Sequence, residues 1–152
     1  MAQMRKIFLK VDNAIDGRYF AELTKIVLAR HEQSKGHKSG AEMRLSIYGM
    51  ERKEWLQLAK WVTRDWQGDF PGNMISTHNR WLVQVPRLWR VYCKKGRGAV
   101  SFQDMLENLF VPLFEATLSP DEHPEVAELL KHIVGFDSVD DEGSLEVIRS
   151  VL

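Results

Sequence analysis

The sequence predicts an α/β fold built on three parallel strands and their crossover helices. Three short apolar runs end in charged or turn residues: Arg44-Leu45-Ser46-Ile47-Tyr48-Gly49, Trp81-Leu82-Val83-Gln84-Val85-Pro86-Arg87, and His132 through Glu142. Segments of helical period lie between them. Successive strands start about 40 to 50 residues apart, which leaves room for the crossover helix a parallel βαβ unit requires. Carboxylates and arginines at the ends of such strands belong to the rim of a cleft.

The first helix is expected over residues 16–34, capped by Asp16. Its apolar face should carry Phe20, Leu23, Ile26, Val27 and the stem of Arg30. The glycines of Lys35-Gly36-His37-Lys38-Ser39-Gly40 make the next stretch a loop. Met43, Leu45 and Ile47 then alternate with Arg44, Ser46 and Tyr48, the period of a strand with one apolar face. A second helix is expected over 51–66, striped by Trp55, Leu58, Val62 and Trp66. The breakers in Gln67-Gly68-Asp69-Phe70-Pro71-Gly72-Asn73 end it.

Trp81 to Val85 is the second strand, closed by Pro86, which cannot donate to a ladder. Ser101 and Asp104 form a Ser-x-x-acid helix start, with Phe102, Met105, Leu106, Leu109 and Phe110 behind it. Pro112 is expected to kink or end that helix. Ser119-Pro120-Asp121-Glu122 reads as a further start, combining a serine cap, a proline at the first position and an acid at the third. Val126, Leu129, Leu130 and Ile133 give this last helix its apolar side. The third strand, Val134 to Ser138, follows directly. Neither an internal repeat nor a low-complexity tract divides the chain, so its 152 residues read as one compact α/β segment.

The 21 basic residues balance the 21 acidic ones. No basic excess supports general binding to nucleic acid or to an anionic membrane. A single cysteine, Cys93, precludes an internal disulfide and suggests a reducing compartment, the cytosol. No stretch approaches the ~20 apolar residues of a membrane span, and the N-terminal apolar run is too short for a signal peptide.

Of the histidines, His31, His37, His78, His123 and His132, no two stand at His-x-His spacing or four apart on one helix face. Surface or capping roles suit them better than zinc ligation, and the sequence holds no self-sufficient metal site. The bases Arg90, Lys94 and Lys95 could activate Cys93, although Leu88, Trp89 and Val91 beside it favour a structural thiol. Lys94-Lys95-Gly96-Arg97-Gly98 makes a better solvated turn than a phosphate clamp. The strand ends remain. Asp137, Asp140, Asp141 and Glu142 could hold a proton, orient a base or bind a ribose hydroxyl, or simply form a solvated acidic loop. Glu42 and Arg44 share one face of their strand, and a charge inside a strand calls for a partner. Arg87 could complete an ionic network with the acids.

These segments, together with Met105 through Thr117, resemble the AMP deaminase family in the same order. Lys10-Val11-Asp12-Asn13 and Gly17-Arg18-Tyr19-Phe20 fit as well, and the likeness covers residues 5–142. It implies an incomplete TIM-type (β/α)8 barrel of the amidohydrolase kind, three strands of eight, the second to the fourth. It also implies one zinc ion, hydrolysis of AMP to IMP and ammonia, and a homo-oligomeric complete protein.

By the same resemblance Glu42, Arg44, Arg87, Asp141 and Glu142 align with substrate-proximal or supporting positions, and the Asp140 region lies near the bound base. The family's His-x-His pair and a lysine- and tyrosine-containing phosphate segment belong upstream of these residues. Its other zinc ligands and its proton-transfer residues belong downstream. Residues 143–152 leave the family pattern, and the loop from Asp69 to Thr77 is longer than usual for it. The 152-residue chain is therefore expected to be a partial catalytic domain, inactive alone and prone to associate through open strand edges. The competing expectation is a non-catalytic module that binds and modulates a complete deaminase.

Overall fold

A computed structural model describes residues 2–33, 40–66, 74–87, 98–99 and 101–139. His37, Cys93, the Gln67–Asn73 loop, the basic run from Lys94 to Arg97, and Asp140, Asp141 and Glu142 lie outside the described residues. The elements are α1 (Ala2–Leu9), α2 (Arg18–Glu32), β1 (Ala41–Ser46), α3 (Glu54–Thr63), β2 (Asn79–Pro86), α4 (Phe102–Leu118), α5 (Pro124–Leu130) and β3 (Ile133–Val139).

The three strands form one parallel sheet in the order β1-β2-β3. Arg44 pairs with Leu82 and Ser46 with Gln84; Gln84 pairs in turn with Asp137 and Pro86 with Val139. A bulge at Trp81/Leu82 shifts the β2–β3 register by one residue. Alternation along each strand sorts the side chains onto two faces. Leu45, Ile47, Trp81 and Val83 are buried beneath the helices. Glu42, Arg44, Gln84 and Asp137 share the opposite face.

The core is aromatic. Trp61 is 2% exposed, stacks on Phe20 at 4.8 Å between ring centroids, and meets Trp81 edge-on at 6.3 Å. Its indole nitrogen donates to the Gly17 carbonyl at 3.0 Å. Trp55 donates to the Leu109 carbonyl at 2.8 Å, which ties α3 to α4. Helix α5 packs against both α3 and α4.

Helix α2 departs from expectation in its cap and in its face. Gly17, at φ 72°, occupies the N-cap in place of Asp16. A Cβ there would come within 2.9 Å of the Trp61 ring, so glycine answers both the backbone angle and the packing. The capping chemistry comes from Asn13 instead. Its Oδ1 accepts from the Ile15 and Gly17 amides at 3.0 Å each, and its Nδ2 donates to the Lys6, Ile7 and Lys10 carbonyls. One side chain thus closes α1 and opens α2. The buried face of α2 is Ala21, Leu28 and Ala29, whereas Leu23 is 49% and Val27 62% exposed. Ala21 wins the inner position because it lets the helix approach the Phe20–Trp61 stack closely.

Helix α3 ends at Thr63, and Trp66 returns across its end to donate to the Trp61 carbonyl at 2.9 Å. The capping box at Ser101 and Asp104 is present, with Ser101 Oγ accepting from the Asp104 amide at 3.0 Å and Asp104 accepting from the Ser101 amide at 2.8 Å. Pro112 does not end α4, which continues to Leu118 with Pro112 buried. Proline costs one helical bond there, while the Trp55 indole bond to Leu109 and the burial of Leu109 and Ala116 hold the turns on either side.

The start expected at Ser119 is a turn instead, closed by the Glu122 amide on the Ser119 carbonyl at 3.1 Å. Helix α5 begins at Pro124, with His123 in the cap position. A proline stands at the first position as anticipated, but it is the second proline of the segment.

Candidate functional site

The two free edges and the two faces of the sheet decide where chemistry can sit. One face is covered by helices. The other carries Glu42, Arg44, Ser46, Gln84 and Asp137, with Leu82 among them, on parallel strands whose carboxyl ends point the same way. Arg44 reaches over the middle strand, and its Nη1 lies 3.5 Å from Asp137 Oδ2. The mid-strand arginine therefore has its acid, two strands away. Glu42 is exposed on the same face. Arg87 follows β2 and is exposed; its amide donates to the Val139 carbonyl at 2.9 Å, so the ladder extends to the rim.

The Arg44 and Asp137 side chains are 60% and 31% exposed. Solvent screens a pair of that kind, so it fixes geometry more than it stabilises. In a double-mutant cycle of Arg44→Ala and Asp137→Ala read by urea unfolding, the coupling is expected below about 1 kcal/mol. A coupling above about 2 kcal/mol would mean the pair is a buried support.

Sequence reasoning missed two features at the carboxyl end of β1. The Ile47 amide continues the ladder by donating to the Gln84 carbonyl at 3.0 Å, which carries Tyr48 onto the polar face. Lys10 Nζ donates to the Tyr48 hydroxyl at 3.1 Å and lies 5.0 Å from the centre of its ring. Only the three-dimensional fold brings residues 10 and 48 together; no spacing announces it.

The second missed feature is Glu54. Its carboxylate accepts the amides of Tyr48 (2.7 Å), Gly49 (3.2 Å), Met50 (2.7 Å) and Glu51 (3.0 Å). Asn108 Nδ2 holds the Gly49 carbonyl from the other side at 3.1 Å. Gly49 itself sits at φ 71°, and a Cβ there would lie 2.8 Å from Met105. An acid three residues after a Gly-x-x turn was the available signal.

Among the described residues, no three His, Cys, Asp or Glu side chains come together to hold a metal ion. His132 lies 3.4 Å from Glu128, and His123 stands at the start of α5. No helix among the described residues is long and apolar enough to cross a membrane.

A three-stranded parallel sheet in sequential order, helices on one face and charged side chains on the other, is the layout of a (β/α) barrel segment. The AMP deaminase family model matches residues 1–149. AMP deaminase of Arabidopsis thaliana is 47% identical over 146 residues, covering 95% of this chain and 16% of that protein. AMP deaminase of Saccharomyces cerevisiae is 44% identical over 146 residues, covering 95% of this chain and 17% of that protein. AMP deaminase 1 of Rattus norvegicus is 45% identical over 142 residues, covering 93% and 18%. The chain belongs to the AMP deaminase family, and it spans 16–18% of the length of these relatives.

Proposed function

We propose that this chain forms the second to fourth strands of an AMP deaminase barrel, in a homo-oligomeric cytosolic enzyme that hydrolyses AMP to IMP and ammonia. The observation that carries the reading is the sheet itself. Its three parallel strands run in sequential order, and the chain aligns over 95% of its length to relatives named as AMP deaminases. A closed (β/α)8 barrel adds each strand beside the last in just this way.

The zinc ion of the family would supply an activated water for attack on the purine. By the family resemblance, the ligands of that ion belong to segments upstream and downstream of these residues. What these residues contribute is binding and orientation. Arg44 and Asp137 brace the floor of the cleft across three strands. Glu42 lies lower on the same face and Arg87 follows β2 at the rim; the family resemblance assigns the Asp140 region to the neighbourhood of the base, with Asp141 and Glu142 among the supporting positions.

Two measurements test the reading. The purified 152-residue chain, supplied with zinc and AMP, is expected to release no ammonia above background. The same residues, exchanged for the matching 146 of the Arabidopsis enzyme, are expected to support turnover of AMP. A folded, zinc-loaded chimera without turnover, or zinc-dependent deamination by the chain alone, would overturn it.

A further inference from the structure

Helix α2 is apolar on two opposite sides. Ala21, Leu28 and Ala29 are buried in the core, whereas Tyr19, Leu23 and Val27 recur every fourth residue and stand exposed. At 3.6 residues per turn, the two stripes lie about half a turn apart. Phe8 of α1 stacks on Tyr19 and widens the outer stripe into a patch. Eight of the fifteen exposed large apolar side chains among the described residues fall between Met4 and Val27, so apolar exposure concentrates here. A patch of this kind marks an interaction surface, and a helix that is apolar all round is covered all round.

Charge decides what covers it. Asp16 stands just before the helix and Arg30 on its last turn, and both are exposed. Asp16 touches Arg64 at 3.6 Å, with 82% of its side chain still open to solvent. Along the outer side, residues 16, 19, 23, 27 and 30 run acid, apolar, apolar, apolar, base. Arg18 and Glu22 beside them are paired with each other at 2.8 Å.

These positions are symmetric about Leu23, as a two-fold contact requires, in which residue i meets j and j meets i. Two copies of α2 laid antiparallel would set Leu23 on its counterpart and Tyr19 on the second copy's Val27. Asp16 would meet the second copy's Arg30 at both ends. A parallel arrangement would set acid on acid and base on base. The exposed stripe of α4 lacks this property, because the same symmetry about Phe114 would oppose Glu107 to Asp121.

We propose that two copies of this chain associate through an antiparallel two-fold contact of their α2 helices, centred on Leu23. This contact supplies a surface for the homo-oligomer of the functional reading, on which it rests.

Cysteines in a Cys93→Ser background read the contact directly in the 152-residue chain. Leu23→Cys is expected to form a disulfide-linked dimer at least about 10-fold faster than Leu56→Cys, an exposed position on α3. Tyr19→Cys and Val27→Cys chains, when mixed, should cross-link to each other and not to themselves. In sedimentation, Arg30→Glu should raise the dimer Kd about 10-fold, and adding Asp16→Lys should recover most of that loss. A Leu23→Cys chain no faster than Leu56→Cys, or a Kd unmoved by Arg30→Glu, would overturn the contact.

The same cysteines in the chimera, which carries the complete barrel, distinguish a second copy from another segment of the enzyme. Cross-linking there supports the two-fold contact, and an unreactive Leu23→Cys overturns it. Neither readout uses AMP, so turnover by the chimera decides the functional reading separately.

Discussion

Replacing Trp61 by alanine is expected to destabilise the chain by about 3–5 kcal/mol, the range for emptying a buried aromatic site. Trp61 is the hub of the described core. It stacks on Phe20, meets Trp81 edge-on, and ties the start of α2 through the Gly17 carbonyl. Truncation removes all three links and leaves that carbonyl with the Ala21 amide alone of its two donors. Set against a total of about 5–15 kcal/mol for an ordinary domain, the loss is large enough to unfold much of the population. Urea unfolding followed by far-ultraviolet circular dichroism reads it directly. Trp61→Phe keeps an aromatic stack and loses the indole bond, and should cost less, about 1–2 kcal/mol. A drop below about 1 kcal/mol for the alanine variant would show that the surrounding rings close over the cavity.

The second large effect belongs to Glu54. Its carboxylate gathers four consecutive amides, and three of those bonds are partly buried. A hydrogen bond to a charged group is worth about 1.5–3 kcal/mol, but bonds sharing one acceptor do not add. Glu54→Ala is therefore expected to cost about 2–4 kcal/mol, with Glu54→Gln nearer the lower end because one acceptor oxygen remains. The damage should be local before it is global. Amide hydrogen exchange at Tyr48, Gly49 and Met50 is expected to accelerate in Glu54→Ala while β2 stays protected. Uniform acceleration across the sheet would show that Glu54 stabilises the fold at large and does not specially hold the rim.

The strands were legible because their chemistry repeats every second residue. Met43, Leu45 and Ile47 announce one buried face, and the same alternation put Glu42 and Arg44 together on the other. The capping box at Ser101 and Asp104 was equally legible, being a local bond within four residues.

Helix faces were harder. In α2, apolar side chains lie on two sides, and periodicity cannot tell a packed stripe of Ala21, Leu28 and Ala29 from an outer one of Leu23 and Val27. Size decided it, and size matters only once Trp61 is in place. Helix α1 went unread because its apolar residues, Met4, Ile7, Phe8 and Leu9, remain well exposed among the described residues; its firm attachment is the stack of Phe8 on Tyr19 at 5.3 Å. The start signal read at Ser119-Pro120 instead marks a turn, and the helix begins at Pro124. Of the candidate site, Arg44's need for a partner was legible, but not that Asp137, two strands away, supplies it. Lys10 with Tyr48 was not legible either, since the contact spans 38 residues of sequence and passes through an intervening helix.

The outward side of α4 and β3 carries a consequence for synthesis. Phe110, Phe114 and Leu118 recur every fourth residue along α4 at 44%, 65% and 82% exposure, and Val134 and Phe136 on β3 are each 50% exposed. In a polypeptide as long as the relatives, these side chains leave the ribosome before the later segments exist. At about 5–20 residues per second, each further hundred residues takes roughly 5–20 s to emerge. Through that interval these apolar side chains of α4 and β3 stand exposed. Slower translation is therefore expected to lengthen that exposure and lower the soluble yield, which synonymous-codon variants compared by their soluble fraction would measure.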